Sequence, residues 1–122
     1  MPRVMHFDIV VRDVEKARKF YESVFGWKFE KWDGPMDYWL ISTGDRSREG
    51  IDGGMSAGEP NLTDAQLTLD VESVETSVAA VKEHGGSLVR EKRAVQGVGW
   101  MAVIADPDGN AFGIMEPDEN AR

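Results

Sequence analysis

Alternation of apolar and polar residues predicts a β-strand near the start of the chain, between Val4 and Val11. From Met5 to Val11 every odd-numbered residue is apolar, whereas the even-numbered positions include His6 and Asp8. Successive side chains of a strand point to opposite faces. The apolar set is therefore predicted to face a core, and His6 and Asp8 to face a different environment.

The pattern then changes to a helical period between Asp13 and Gly26. Asp13 suits the N-cap position, where a carboxylate accepts a hydrogen bond from a free backbone N–H group. Gly26 suits the position that ends a helix. The predicted apolar face of this helix consists of Val14, Ala17, Phe20, Tyr21, Val24 and Phe25.

Three short strands complete the first half of the chain. They are predicted at 27–32, 37–43 and 51–55, and Gly53 and Gly54 weaken the pattern of the last one. The polar, glycine-bounded segment between the second and third of these strands is predicted to be an exposed loop. A linker-like stretch follows at 57–63.

The same order of elements begins again sixty residues further along. Val11-Arg-Asp-Val14-Glu15 corresponds to Val71-Glu-Ser-Val74-Glu75, and His6 corresponds to Gln66. The second half is predicted to contain a strand at 65–71, a helix from Ser73 to Gly85-Gly86, and strands at 87–92, 100–105 and 111–115.

This internal duplication predicts the fold class. Each half ends in strands joined by short connections, which favours a curved mixed sheet covered by one helix over a parallel α/β sheet. We therefore expect an α+β fold of two βαβββ repeats. A single domain is predicted over 1–122, with module 1 at about 1–56 and module 2 at about 64–117.

Composition narrows the classes of partner. The formal net charge of −8 and the isoelectric point of about 4.7 argue against a nucleic acid or an anionic membrane as partner. The chain has no cysteine, which excludes disulfides, thiolate catalysis and cysteine-ligated metal sites. No stretch approaches the roughly 20 apolar residues of a membrane span, so a cytoplasmic location is expected.

Three segments of the chain resemble the vicinal oxygen chelate superfamily, which includes glyoxalase I, extradiol dioxygenases, fosfomycin-modifying enzymes and bleomycin-resistance proteins. They are HFDIVVRDVEKARKFYESVFGWKF in module 1, and QLTLDVESVETSVAAVKEHGGSLV and VGWMAVIADPDGNAFGIMEP in module 2. These motifs are specific for a fold and not for a reaction. The resemblance implies that the two modules form a cup-shaped mixed sheet with the helices outside.

The resemblance also implies where a metal ion would bind. Metalloenzymes of the superfamily take His, Glu or Gln ligands from the first and last strands of each module. The matching positions are His6, Gly54, Gln66 and Gly113, with Asp52 on the same face as Gly54. Because glycine has no side chain to donate, no metal cofactor is expected. If Zn, Ni, Mn or Fe is bound, the candidate ligands are His6, Asp52 and Gln66.

Six residues are predicted to contact a ligand in the cup: His6, Asp8, Gln66, Thr68, Trp100 and Met115. His6 is interpreted either as an acid–base group or as a hydrogen-bonded strand residue without function. Asp8 either pairs with His6 or is a carboxylate at the rim. Trp100 and Met115 favour a flat, partly apolar ligand, although core packing would use the same residue types. No catalytic residue is assigned.

Glu116, near the end of DPDGNAFGIMEP, is predicted to lie away from the cup. By alternation it shares a face with Phe112 and Ile114, which are expected to contact the second helix. The residue in the ligand position of this strand is Gly113.

The favoured hypothesis is therefore a protein of the glyoxalase and bleomycin-resistance type that binds a small, partly apolar molecule in its cup without the usual metal. The alternative is a divalent-metal-dependent lyase, isomerase or dioxygenase of the same superfamily, so enzymatic activity is left open. Superfamily members of this length are commonly dimers, and exposed strand edges would support a homodimer.

Overall fold

A computed structural model describes residues 2–59 and 66–122 of the chain. These residues form eight strands and two helices, and each half has the order strand, helix, three strands. The predicted α+β class and the two βαβββ repeats are thus confirmed.

The first module has a mixed sheet in the order β2-β3-β4-β1. Strands β1 and β4 are parallel, whereas the other two neighbouring pairs are antiparallel. The elements are β1 (Val4–Val11), α1 (Val14–Phe25), β2 (Lys28–Lys31), β3 (Trp39–Ser42) and β4 (Asp52–Ala57).

The second module repeats this arrangement in the order β5-β8-β7-β6. Strands β5 and β8 are parallel, and β8–β7 and β7–β6 are antiparallel. The elements are β5 (Leu67–Asp70), α2 (Val74–Glu83), β6 (Ser87–Val95), β7 (Gly99–Ala105) and β8 (Ala111–Pro117).

Both helices begin at the residues that the sequence indicated. The Asp13 carboxylate accepts a hydrogen bond from the Lys16 N–H at 3.1 Å, and the Ser73 hydroxyl accepts one from the Thr76 N–H at 3.2 Å. Each bond satisfies a backbone donor of the first helical turn. Helix α1 ends at Gly26, which has the left-handed φ of 72° typical of a terminating glycine.

The core of the second module lies between α2 and one face of its sheet. It is a buried cluster of Val71, Val74, Ala102, Ile104 and Ile114. Phe112 and Leu69 pack against this cluster from the same face of the sheet. The predicted alternation of β5 and β8 is therefore confirmed.

Aromatic rings fill the corresponding space in the first module. The Tyr21 ring of α1 stacks on Trp27 with a centroid distance of 5.0 Å, and Phe7 of β1 lies 5.7 Å from the same Trp27 ring. Ile41 and Met55 of the same module are also buried. Phe7 thus faces α1, so the neighbouring His6 and Asp8 lie on the opposite face of β1.

The observed strands differ from the predicted ones mainly at their ends. Strand β6 continues to Val95 and β8 to Pro117, because both pair with β7 over most of its length. The predicted linker at 57–63 and the predicted strand start at Ala65 lie partly outside the described residues.

Contacts divide the chain into two compact units. One begins at His6 and contains the rest of the first module, and the other joins the second module to the chain start up to Met5. A 2.9 Å hydrogen bond from the Asp70 N–H to the Arg3 carbonyl oxygen links that start to β5. Neither helix in the described ranges is long and apolar enough to cross a membrane.

Candidate functional site

Two parallel strands bring the polar residues of the first module onto one face. In the register of β1 and β4, His6 lies beside Asp52 and Asp8 lies beside Gly54. Neighbouring residues of paired strands point to the same side of a sheet. Asp52 and Gly54 therefore share the face of His6 and Asp8, as alternation predicted.

Tyr38, which directly precedes β3, completes a cluster with His6 and Asp8. Its hydroxyl donates a short hydrogen bond to the Asp8 Oδ1 atom and lies 2.7 Å from His6 Nε2. The Trp32 N–H donates to the Tyr38 carbonyl oxygen at 2.8 Å, and the Trp32 ring meets the Tyr38 ring edge-on. These two contacts hold the phenol over the sheet. We call these three residues the His6–Tyr38–Asp8 cluster.

The hydrogen bonds of the cluster fix where its protons lie. A phenol has one proton, and the Tyr38 hydroxyl donates it to Asp8. His6 Nε2 must therefore carry a proton and donate to the Tyr38 oxygen. Burial, and next the hydrogen bond and negative charge of Asp8, raise the pKa of Tyr38 well above its usual range.

The cluster remains accessible to small molecules. The side chains of His6 and Asp8 are 30% and 32% exposed, and His6 Nε2 lies 3.5 Å from Asp8 Oδ1. Leu40, which pairs with Gly54 and shares its face, is 40% exposed. The face therefore combines a polar centre with an exposed apolar side chain.

Sequence reasoning identified His6 and Asp8 in this cluster but missed Tyr38. Tyr38 is 30 residues from Asp8 in the chain. It lies within the strand predicted at 37–43, although β3 itself begins at Trp39. The available signal was its spacing of two from Leu40, which puts both side chains on the same side of an extended chain.

Known proteins are similar to this chain in sequence. The family model described as "Bleomycin resistance protein-like N-terminal" matches residues 3–44. A probable lactoylglutathione lyase of Vibrio parahaemolyticus is 25% identical over 117 residues, covering 88% of this chain and 85% of that protein.

Solved structures show the same fold. Methylmalonyl-CoA epimerase of Mycobacterium tuberculosis has a TM-score of 0.67 at 18% identity, over 94% of this chain and 87% of that one. A Mn(II)-bound glyoxalase of Novosphingobium aromaticivorans has a TM-score of 0.65 at 18% identity, over 97% of this chain but 39% of that one. The chain therefore resembles the vicinal oxygen chelate superfamily in part of its sequence and in its fold.

The first module does not fit the metal site of the superfamily. At the ligand position Gly54, an added Cβ atom would overlap the Tyr38 hydroxyl. The nearby Asp52 carboxylate instead accepts hydrogen bonds from Thr43, at 2.9 Å from the backbone N–H and 3.2 Å from the hydroxyl. Both bonds are accepted by Oδ1, so they orient the Asp52 carboxylate toward Thr43.

The second module fills its superfamily ligand position in a similar way. A Cβ atom added to Gly113 would lie 2.7 Å from Met101 Cε and 2.8 Å from Thr68 Oγ1. Thr68 is buried and pairs with Gly113 in the sheet, and Met115 shares their face by alternation. Thr68 and Met115, which were predicted to contact a ligand, therefore lie on one face of the sheet, with Met101 as a neighbour.

Trp100 does not face the predicted cup, and this expectation was wrong. Its side chain packs against the buried cluster under α2, on the same face of β7 as Ala102 and Ile104. The indole N–H donates to Asp118 Oδ2 at 3.1 Å, and the Lys92 ammonium lies 4.9 Å from the ring centroid. Met101 is the next residue of β7, and its side chain therefore points to the opposite face of the sheet.

The remaining candidate residues do not form a metal-binding group within the described ranges. Gln66 is exposed and precedes β5 by one residue. Within 2–59 and 66–122, no group of three or more His, Asp or Glu side chains is arranged to hold a metal ion.

Glu116 accepts a hydrogen bond from the Val74 N–H at 3.0 Å, which confirms that it faces α2.

A surface depression of about 500 Å³ lies along the β3–β4 loop, and none of the three cluster residues lines it. Its lining is Thr43, Gly44, Asp45, Arg46, Arg48, Glu49, Gly50 and Asp52. The side chains include both charge signs, so the depression has no clear preference for a cation or an anion. Strand alternation and hydrogen bonding instead favour the cluster as the candidate site.

Proposed function

We propose that this protein binds a small, partly apolar molecule and does so without the divalent metal ion of the metalloenzymes that it resembles. One observation carries the proposal. The Tyr38 hydroxyl lies where a ligand side chain at position 54 would begin, and it is hydrogen-bonded to both His6 and Asp8. His6 Nε2 and Asp8 Oδ1 are thereby engaged by the Tyr38 hydroxyl.

The chemistry of the cluster indicates the class of ligand. Within the described residues, His6 Nδ1 and Asp8 Oδ2 make no recorded hydrogen bond, so both can bind a polar group of the ligand. Leu40 and the edge of Trp32 offer apolar contact beside them. A ligand with one hydrogen-bonding group on an apolar or aromatic body matches this surface.

A metal-dependent lyase, isomerase or dioxygenase is the alternative. It draws support from the Mn(II)-bound glyoxalase among the structural relatives. It would require His6, Asp52 and Gln66 to act as ligands.

A thermal-shift screen of aromatic and amphipathic molecules tests the binding proposal. A ligand that binds only the folded protein raises its midpoint of unfolding. The shift should disappear in His6→Ala and persist in His84→Ala, a matched control because His84 is the other histidine and is exposed at the end of α2. A shift that survives in both variants would place the ligand elsewhere, and a screen without any shift would contradict the proposal.

Elemental analysis of protein purified without chelator separates the two functions. The proposal expects no stoichiometric Zn, Ni, Mn or Fe. One equivalent of metal that is lost in His6→Ala but retained in His84→Ala would establish the alternative.

A homodimer is a further proposal, supported by the apolar surface of α1. Phe20, Val24 and Phe25 are each more than half exposed, and contiguous exposed apolar side chains commonly mark an interface. Light scattering should give twice the 13.6 kDa mass of the chain, and a monomer at all concentrations would contradict it.

A further inference from the structure

We propose that Tyr38 and a side chain at position 54 exclude each other, so that Tyr38 acts as a positioning residue that keeps the first module free of metal. Replacing Tyr38 by a small residue and Gly54 by a carboxylate should then open a divalent-metal site with His6 and Asp8. The inference deepens the proposed function, because it names the residue that closes the superfamily's metal site.

Steric contact with one side chain explains why position 54 is glycine. The three atoms nearest to an added Cβ all belong to the Tyr38 ring and hydroxyl. Gly54 does not have the positive φ that would itself require glycine. Removing the phenol should therefore make position 54 tolerant of a side chain.

Gly53, the preceding residue, provides a contrast. A Cβ atom added there would lie 2.5 Å from the Phe7 carbonyl oxygen and 2.7 Å from atoms of the Phe7 ring. Backbone cannot move aside as a flexible side chain can. A substitution at position 53 should therefore remain unfavourable whether or not Tyr38 is present.

The face around position 54 already carries two metal-binding groups. Position 54 lies beside Asp8 in the register of β1 and β4, and Asp8 and His6 are close enough for the 3.5 Å contact between their side chains. A glutamate at 54 would add a third donor on the same face. One imidazole and two carboxylates suit Zn²⁺ and Mn²⁺, with water completing the coordination.

Metal binding by Tyr38→Ala/Gly54→Glu tests the inference directly. Zn²⁺ and Mn²⁺ are titrated into the wild type, both single variants, the double variant and Tyr38→Ala/Gly54→Ala by calorimetry. We expect one equivalent to bind the double variant at least tenfold more tightly than any of the others. Adding His6→Ala should abolish this gain, whereas adding His84→Ala should leave it unchanged.

An alanine cycle tests the steric exclusion independently and does not depend on the folding of the glutamate variant. Gly54→Ala should lower the midpoint of thermal unfolding in the wild type but not in the Tyr38→Ala background. Gly53→Ala should lower it in both backgrounds. Equal losses for Gly54→Ala in the two backgrounds, or a folded Tyr38→Ala/Gly54→Glu protein that binds metal no better than the wild type, would overturn the inference.

These outcomes are distinct from a failure of the proposed function. Wild-type protein that binds stoichiometric metal through His6 would contradict the metal-free proposal. If the wild type binds no metal but the variants show no coupling between positions 38 and 54, only the role of Tyr38 is contradicted.

Discussion

At the scale of single residues, the His6–Tyr38–Asp8 cluster is an ordered chain of hydrogen bonds. The Tyr38 proton is directed to Asp8, so His6 must donate its Nε2 proton to the phenol oxygen. A carboxylate partner makes the bond from Tyr38 stronger than a bond between two neutral groups. The cluster therefore has a preferred protonation pattern, and Tyr38 is the residue that determines it.

Tyr38→Phe should reveal this pattern as a change in the pH dependence of stability. The folded protein keeps the Tyr38 phenol protonated to a higher pH than the unfolded chain, because burial and Asp8 raise its pKa. As the pH rises above about 10, the unfolded chain therefore loses this proton first and stability falls. The fall should be smaller in Tyr38→Phe.

Urea denaturation from pH 7 to pH 11 measures this difference. At neutral pH the variant should be less stable by about 1–2 kcal/mol, because a hydrogen bond to a carboxylate is lost. A difference spectrum of wild type minus variant should lack a tyrosinate signal near pH 10. Parallel pH profiles for the two proteins would contradict the assigned bond.

At the scale of elements, the ends of α1 and α2 follow local rules that the sequence displays. Asp13 and Ser73 cap the helices as predicted, and Glu116 reaches the N-terminus of α2 from β8. A carboxylate is favourable there because it accepts a free N–H and opposes the positive end of the helix dipole. Only the first two contacts join residues close enough in the chain to be predicted from the sequence. For Glu116, alternation predicted only that it lies on the face of β8 that is turned toward α2.

Gly26→Ala should destabilise the protein through backbone strain alone. Gly26 has a φ of 72°, and no atom lies within 4 Å of an added Cβ. The left-handed conformation is unfavourable for alanine by about 1 kcal/mol. Gly44→Ala is the matched control, because that position is also open but has no positive φ. Equal denaturation midpoints for the two variants would contradict this explanation.

At the scale of the whole molecule, the two modules repeat one topology with different packing. Among the described residues, the second module contains a buried cluster of five aliphatic side chains under α2. In the first module no residue of α1 is buried, and aromatic rings provide much of the packing. The two modules therefore share a strand order but differ in the side chains that pack beneath their helices.

Hydrogen exchange should detect this difference in packing. Amide protection depends on the free energy of local opening, which increases with buried apolar contact. We expect the central amides of β7 and β8 to exchange at least tenfold more slowly than those of β2 and β3, as measured by NMR or mass spectrometry. Faster exchange in β7 and β8 would show that the aromatic packing of the first module is the more stable of the two.

The sequence by itself determined the repeat, the elements and the faces of several strands. These features depend on contacts between near neighbours: period-two alternation separated Phe7 from His6 and Asp8, and local caps marked both helices. It also indicated that the superfamily ligand positions at 54 and 113 are glycines.

Only the tertiary structure decided what fills those positions. Tyr38 reaches Gly54 through the pairing of β3 with β4, and Met101 reaches Gly113 through the pairing of β7 with β8. The placement of Trp100 was likewise decided by register, since a shift of one residue reverses the face of a strand side chain. Such contacts join residues distant in the chain, and their register is set by the sheet as a whole rather than by any local pattern.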